Sequence, residues 1–259
     1  MRFCPVASGS SGNCVYVGAG DTHLLVDAGL SGKRIETALN QIKIPNLSGI
    51  LVTHEHSDHA SGVGIMSRRY NLPVYAAPNT WRFFLRHGTI GTVAREMQKT
   101  IIPGQPVTIG GIEVEAFDVP HDASQPVGYC LRAMGYSAAV ATDMGYVTDT
   151  VRALLRDVNV MLIESNHDME MLENGRYPKD LKERVKGSRG HLSNVAAGAL
   201  LAEIASSAFR HVFLGHLSEE NNRPMIALDT VQNILESNDI QFNRLSVADR
   251  HEPSEMIVL

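Results

Sequence analysis

Six residues at the end of an apolar stretch constrain this chain more than anything else in it. Gly49-Ile-Leu-Val-Thr53 reads as a short buried strand and passes directly into His54-Glu55-His56-Ser57-Asp58-His59. In an extended segment the side chains of residues i and i+2 share a face, so His54 and His56 can hold one metal ion together. A helix beginning near Asp58 would send that carboxylate and His59 in another direction, toward a second ion nearby. Imidazole with carboxylate suits Zn2+, Mn2+ or Fe, and without thiolates an open catalytic site is favoured over a closed structural one. A surface loop that happens to hold three histidines is the plain alternative. Three histidines in six positions, interleaved with acids and set on a strand end, are poorly explained by chance or by a purification tag.

A two-metal site needs more ligands than this segment supplies. His121 in Val-Pro-His-Asp-Ala, Asp143 in Val-Ala-Thr-Asp-Met and His216 in Phe-Leu-Gly-His-Leu each follow an apolar, strand-like run. Strand ends are where a layered α/β domain presents functional side chains. Taken singly, each has an ordinary explanation: a lone histidine is usually a satisfied polar residue, and Asp143 could cap a helix. Taken with the cluster, the metal-binding reading is the better one.

The rest of the chain fits an α/β layering. Strands are expected at Arg2–Ala7, Cys14–Val17, Thr22–Ala28, Pro73–Ala77, Gly111–Val119, Val127–Met134, Tyr136–Thr142, Val158–Glu164, His211–Gly215 and Ile240–Val247. Helical spacing of apolar residues marks Ser31–Lys43, His59–Tyr70, Thr80–His87, Thr148–Arg156, Pro178–Lys186, Leu192–Ala208 and Met225–Ser237. No repeat or linker divides the 259 residues, so one domain over 1–259 is expected. The net charge of −5 gives no whole-molecule field for nucleic acid, so any such partner must be held locally. Three cysteines without a CxxC pair read as reduced thiols of a cytoplasmic protein. No stretch is apolar for long enough to span a membrane or serve as a signal peptide.

The ordered set His54-Glu55-His56-Ser57-Asp58-His59, His121, Asp143 and His216 resembles the metallo-β-lactamase superfamily from about Cys14 onward. That resemblance implies a four-layer αββα sandwich with a dinuclear site at one edge of the sheets and two divalent ions, Zn2+ or Mn2+ with Fe admitted. It also implies that His54, His56 and His121 hold one ion, that Asp58, His59 and His216 hold the other, and that Asp143 bridges them. Asp27, in Leu-Leu-Val-Asp-Ala-Gly, sits where the family has a structural aspartate. His56 in place of the glutamate of the diiron branch disfavours redox chemistry, and Asp143 in place of cysteine separates the chain from thiolate-containing lactamases. His191, in Ser-Arg-Gly-His-Leu-Ser-Asn, resembles an extra histidine of the phosphodiesterase branches that faces the scissile phosphate. The Ser-Gly-Ser-Ser-Gly-Asn-Cys loop, the histidine cluster and Glu164–Asp168 together resemble the YycJ/WalJ-type group, metal-dependent DNA exonucleases of bacteria. Only 73 positions separate Asp143 from His216, so no β-CASP insertion is expected.

The expected activity is therefore phosphodiester hydrolysis, with DNA cut from its ends. A water between two cations loses its proton near neutral pH, Asp58 and Asp143 would orient it, and His191 would assist the leaving oxygen. Arg189 and Asn194 near a helix start, and Asn13 in the glycine-serine loop, are candidate substrate-binding residues. Arg176, Lys179, Lys182, Arg184, Lys186 and Arg189 against Asp180 and Glu183 give a local +4 ahead of His191. Arg68, Arg69, Arg82 and Arg86 form a second basic group, although solvated helix faces look much the same. Tyr177 and Trp81 could stack on bases, but packing is the simpler reading. His167 is a further candidate behind the ligands. A small-molecule hydrolase of the same fold, acting on a cyclic phosphodiester, lactone or thioester, is the competing enzyme. A metal-bound binding protein without turnover is the competing class.

Overall fold

The structure is a computed structural model that describes residues 1–44 and 46–259. The first half of the chain builds β1 (Arg2–Ala7), β2 (Cys14–Ala19), β3 (Thr22–Val26), α1 (Gly32–Gln41), β4 (Gly49–Leu51), α2 (Ser57–Ala60), α3 (Val63–Tyr70), β5 (Val74–Ala76), α4 (Pro78–His87) and β6 (Gln98–Thr100). The second half builds β7 (Val107–Ile109), β8 (Ile112–Asp118), β9 (Val127–Ala133), β10 (Tyr136–Ala141), α5 (Asp149–Leu155), β11 (Val160–Glu164), α6 (Met169–Asn174), α7 (Lys179–Lys186), α8 (Asn194–Ile204), β12 (His211–Gly215), α9 (Pro224–Ser237), β13 (Leu245–Val247) and β14 (Ile257–Val258). Two sheets result, ordered β14-β1-β2-β3-β4-β5-β6 and β13-β12-β11-β10-β9-β8-β7.

Strand periodicity explains the layering. Leu24, Val26 and Leu51 point into the core between the sheets, with Val114, Tyr129, Val160 and Leu162 facing them. Their neighbours Leu25, Ile50 and Val52 point outward and are covered by Ile35 of α1 and Trp81 and Phe84 of α4. On the far side Met161 and Ile163 are covered by Val151, Leu200 and Val231 of α5, α8 and α9. Successive side chains of a strand face opposite ways, so strands apolar at every position must be buried on both faces. The outcome is the expected αββα sandwich. Among the described residues, no helix is long and apolar enough to cross a membrane.

The departures from expectation have local causes. The helix read as His59–Tyr70 is two helices, because the chain breaks at Gly62. The Gly62 amide donates to Ala28 O at 2.7 Å, and a Cβ there would collide with Leu30 O. Helix α8 starts at Asn194, capped by Ser193, so His191 lies ahead of it and not at its first turn. Only Leu245–Val247 of the expected last strand pairs, with β12. Strands β6, β7 and β14 and helix α6 carry too little periodicity to be read, each being six residues or shorter. The strands form by pairing with β5, β8 and β1.

Strands β8, β10, β11 and β12 run in one direction, as do β3 and β4, so their C-terminal ends gather at one edge of the sandwich. Across the core Phe213 of β12 stacks on Phe3 of β1, with ring centroids 6.0 Å apart. Phe213→Ala should cost about 3–5 kcal/mol, seen as a lower urea midpoint. An unchanged midpoint would mean the two sheets do not depend on this contact.

Candidate metal centre

The edge to which these strands point receives Asp27 after β3, His54 and His56 after β4, Asp58 and His59 from α2, His121 after β8, Asp143 after β10, Glu164 at the end of β11 and His216 after β12. Asp27, Asp143 and His216 hold left-handed backbone conformations, with φ of 62°, 59° and 54°. Such turns bend the chain sharply at the strand end and aim the side chain at the seam between the sheets.

Two sets of ligand atoms form there. His54 Nε2 and His56 Nδ1 are 3.0 Å apart, and His121 Nε2 lies 3.4 Å from His56 Nδ1. Asp58 Oδ2 lies 3.5 Å from His59 Nε2 and 3.4 Å from His216 Nε2. Within each set all three ligand atoms are within 4.8 Å of one another. Asp143 stands between the sets, with Oδ2 3.3 Å from His59 Nε2 and Oδ1 3.7 Å from His121 Nε2. The seven candidate ligands therefore come together, in overlapping groups that include the two expected ones; a further group joins Asp143 and His216 to Glu164 and His191.

The far nitrogens of the rings are held by oxygen acceptors. His59 Nδ1 donates to Asp27 Oδ2 at 2.7 Å, His121 Nδ1 to Gly190 O at 3.1 Å and His216 Nδ1 to Glu164 Oε1 at 3.0 Å. His54 Nδ1 lies 3.0 Å from Thr53 Oγ1, whose hydroxyl donates to Asp27 Oδ2 at 2.8 Å. These bonds fix the tautomers so that each Nε2 lone pair faces inward. Three imidazole nitrogens converge on one point, and the buried Asp143 Oδ2 has no hydrogen-bond partner among the described residues. A donor set of this kind fits divalent cations.

The charges show the same demand. Burial opposes ionisation of His59, but Asp143, Asp27 and Asp58 lift its pKa well above the ordinary value. Burial likewise opposes a charged His216, yet Asp143, Asp58 and Glu164 carry it to about 10. Positive charge belongs at this seam, and cations would displace the protons that otherwise supply it.

Glu164 is the functional residue that sequence reasoning missed. It is fully buried, and against the effect of burial His191 and His216 pull its pKa to about 2. Oε1 accepts from His191 Nδ1 at 2.7 Å and from His216 Nδ1, while Oε2 accepts from the amides of Met144 and Leu192. Both oxygens are thus engaged by the protein. The available signal was a single acid closing the apolar run Val-Met-Leu-Ile-Glu.

The candidate substrate residues are placed differently from expectation. Asn13 is 4% exposed, and its side chain closes the loop back onto Gly9 while its amide donates to Asp58 O at 2.7 Å. Gly29 packs against the same carbonyl so closely that a Cβ would overlap it. Asn194 is 1% exposed and bonded to Ser165 and Asn222, which makes it an internal brace. Arg189 gives Nε and Nη2 to His121 O, at 3.1 and 3.0 Å, and so braces the loop carrying that ligand. The basic segment is partly neutralised: Arg184 pairs with Asp122 at 2.6 Å and Lys186 with Glu173 at 2.7 Å. Arg69 pairs with Glu36, and Arg68 holds the carbonyls of Ile90 and Thr92.

Residues 22–217 match the model of the beta-lactamase superfamily domain. The chain belongs to the beta-lactamase superfamily. Exodeoxyribonuclease YycJ of Bacillus anthracis is 42% identical over 91% of this chain and 89% of its own length. Exodeoxyribonuclease WalJ of Streptococcus pneumoniae is 39% identical over 93% and 90%. The fold is shared with the metallo-beta-lactamase fold protein YhfI of Bacillus subtilis, at a TM-score of 0.71, 16% identity and coverage of 98% and 99%. It is shared as well with Zn2+-bound PqqB of Methylobacterium extorquens, at 0.73, 18% identity and coverage of 98% and 100%.

Asp27→Asn keeps the size and backbone preference of the residue but removes the charge behind His59. Zn2+ affinity, read by competition with a chelator, should fall about 10- to 100-fold; wild-type affinity would remove Asp27 from this role. His167 is 1% exposed, and burial is the first cause holding its pKa down at about 4. The unfolded chain takes up that proton near pH 6.5 and the folded one does not, so stability falls with pH below about 6.5. Between pH 7 and 5 this group should account for about 2 kcal/mol. Urea unfolding of His167→Gln should show that much less acid sensitivity than wild type, and equal sensitivity would refute the assignment.

Proposed function

We propose that this protein is a metal-dependent phosphodiesterase that degrades DNA from its ends. The observation that carries the reading is His191. Its Nδ1 is bound to the ionised Glu164 at 2.7 Å, which leaves Nε2 without a hydrogen-bond partner among the described residues, and its ring centroid stands 5.0 Å from that of His121 and 5.3 Å from that of His216. Burial works against its protonated form, but Glu164 and then Asp143 raise its pKa, which suits it to the role of proton donor. Relatives named exodeoxyribonucleases over more than nine-tenths of this chain support DNA as the substrate.

His54, His56 and His121 would hold one divalent ion and Asp58, His59 and His216 the second, with Asp143 between them. Zn2+ or Mn2+ suits these donors, and Fe is accepted by them. When bound, such ions supply Lewis acidity toward phosphate oxygens and make water acidic enough to attack near neutral pH. Water adds across the P–O bond: its oxygen goes to phosphorus, and the leaving oxygen takes a proton. Asp58 stays ionised and keeps a quarter of its side chain open, which suits it to orient the attacking water. His191 delivers the proton to the leaving oxygen, and Glu164 keeps the ring facing that way. The free, buried Cys4, Cys14 and Cys130 agree with a reducing compartment, and we place the protein in the cytoplasm.

The partly neutralised basic segment favours a second reading, a hydrolase of small phosphodiesters that needs no charged surface. The two part in one assay on end-labelled single- and double-stranded DNA beside bis-p-nitrophenyl phosphate, with His54→Ala as the blank. Stepwise shortening of DNA by wild type alone supports the nuclease. Cleavage of the ester with intact DNA supports the small-molecule enzyme. In the same assay His191→Ala should lower kcat by about 10²–10⁴ with metal content unchanged. Loss of metal from that variant would make His191 a ligand.

A further inference from the structure

A cavity of about 200 Å³ opens beside the metal centre, and His191 forms one of its walls. Distant chain segments line it: Ser10 from the N-terminal loop, Tyr177 ahead of α7, Leu181, Arg184 and Val185 of α7, and Ser218 beyond β12. Leu181 and Val185 give it apolar surface, and Ser10 and Ser218 give it hydroxyl groups. Tyr177 is half-buried, and its hydroxyl and ring have no hydrogen-bond or aromatic partner among the described residues. Trp81, the other aromatic candidate, is buried and donates from Nε1 to Lys99 O at 2.8 Å, so it belongs to the core. The acid at the cavity wall, Asp122, is paired with Arg184, which removes the charge that would repel a phosphate group.

The volume lies below the roughly 300–1,000 Å³ of a drug-sized ligand pocket. It admits one flat base and excludes a base pair. An aromatic ring without an aromatic partner among the described residues, in a cavity that Leu181 and Val185 also line, is a surface on which single-stranded bases stack whatever their sequence.

We propose that this cavity seats the base of the terminal nucleotide, stacked on Tyr177, so that the enzyme takes one unpaired nucleotide at a time from a frayed end. The proposal rests on the nuclease reading. It makes Tyr177 a substrate-binding residue and sets mononucleotides as the product.

The test uses two end-labelled duplexes that differ only in whether the terminal nucleotide carries its base or is abasic. On the normal end Tyr177→Ala should lower kcat/KM about 5- to 150-fold, the equivalent of the ~1–3 kcal/mol of a base–aromatic stack. Tyr177→Phe and Tyr177→Trp should stay close to wild type, and on the abasic end wild type and Tyr177→Ala should be equal. Leu181→Trp, which fills the cavity, should reproduce the selective loss. Tyr177→Ala acting like wild type on both ends, or losing activity equally on both, overturns the proposal. So does release of products longer than one nucleotide. Wild-type protein that cleaves bis-p-nitrophenyl phosphate but neither duplex overturns the nuclease reading itself, and the cavity assignment with it.

Discussion

Buried negative charge at the seam between the two sheets is the constraint on which the rest of this molecule depends. Asp27, Asp143 and Glu164 are each at most 2% exposed, and Asp58 stands beside them. Carboxylates in such a place are costly unless positive charge and hydrogen bonds compensate them. The imidazoles of His59, His191 and His216 answer three of them directly, through contacts of 2.7 to 3.5 Å. Asp143 Oδ2 has His59 Nε2 beside it at 3.3 Å but no hydrogen bond among the described residues, and the ring nitrogens of His54, His56 and His121 meet nearby. That arrangement fits divalent cations.

The geometry is maintained at a cost in backbone strain. Three residues of the centre sit at left-handed φ values that side chains other than glycine, asparagine and aspartate seldom adopt. Strain of this sort persists only where the surroundings over-determine it. Here they do: Asp27 is held by the amide and hydroxyl of Thr53, and the His216 amide donates to Ser8 Oγ at 2.8 Å. The apolar sandwich supplies the rigidity, and the strand ends carry the strain.

Specificity is written in a different part of the molecule. The same metal centre could serve lactams, esters or phosphates, since the fold alone names no substrate. What stands around it differs from one member to the next, and here that is His191 set by Glu164, a basic helix α7 that spends Arg184 and Lys186 on nearby acids, and a small cavity lined by Tyr177. On the reading proposed above, these features would select a chain end over its middle.

The sequence alone determined the ligand types, their order and the layering. Each follows from local rules: apolar runs alternate between two covered faces, and polar residues at the close of such runs fall on the strand-end edge. His54, His56, Asp58, His59, His121, Asp143 and His216 were legible that way as candidate ligands. The surroundings of Glu164, Asn13, Asn194 and Tyr177 were decided only by the tertiary structure. An acid at a strand end looks the same whether it meets solvent or two imidazoles. An asparagine near a helix start looks the same whether it faces a phosphate or, as Asn194 does, the side chains of Ser165 and Asn222. Those distinctions depend on which distant segments meet, and long-range packing fixes that where local periodicity cannot.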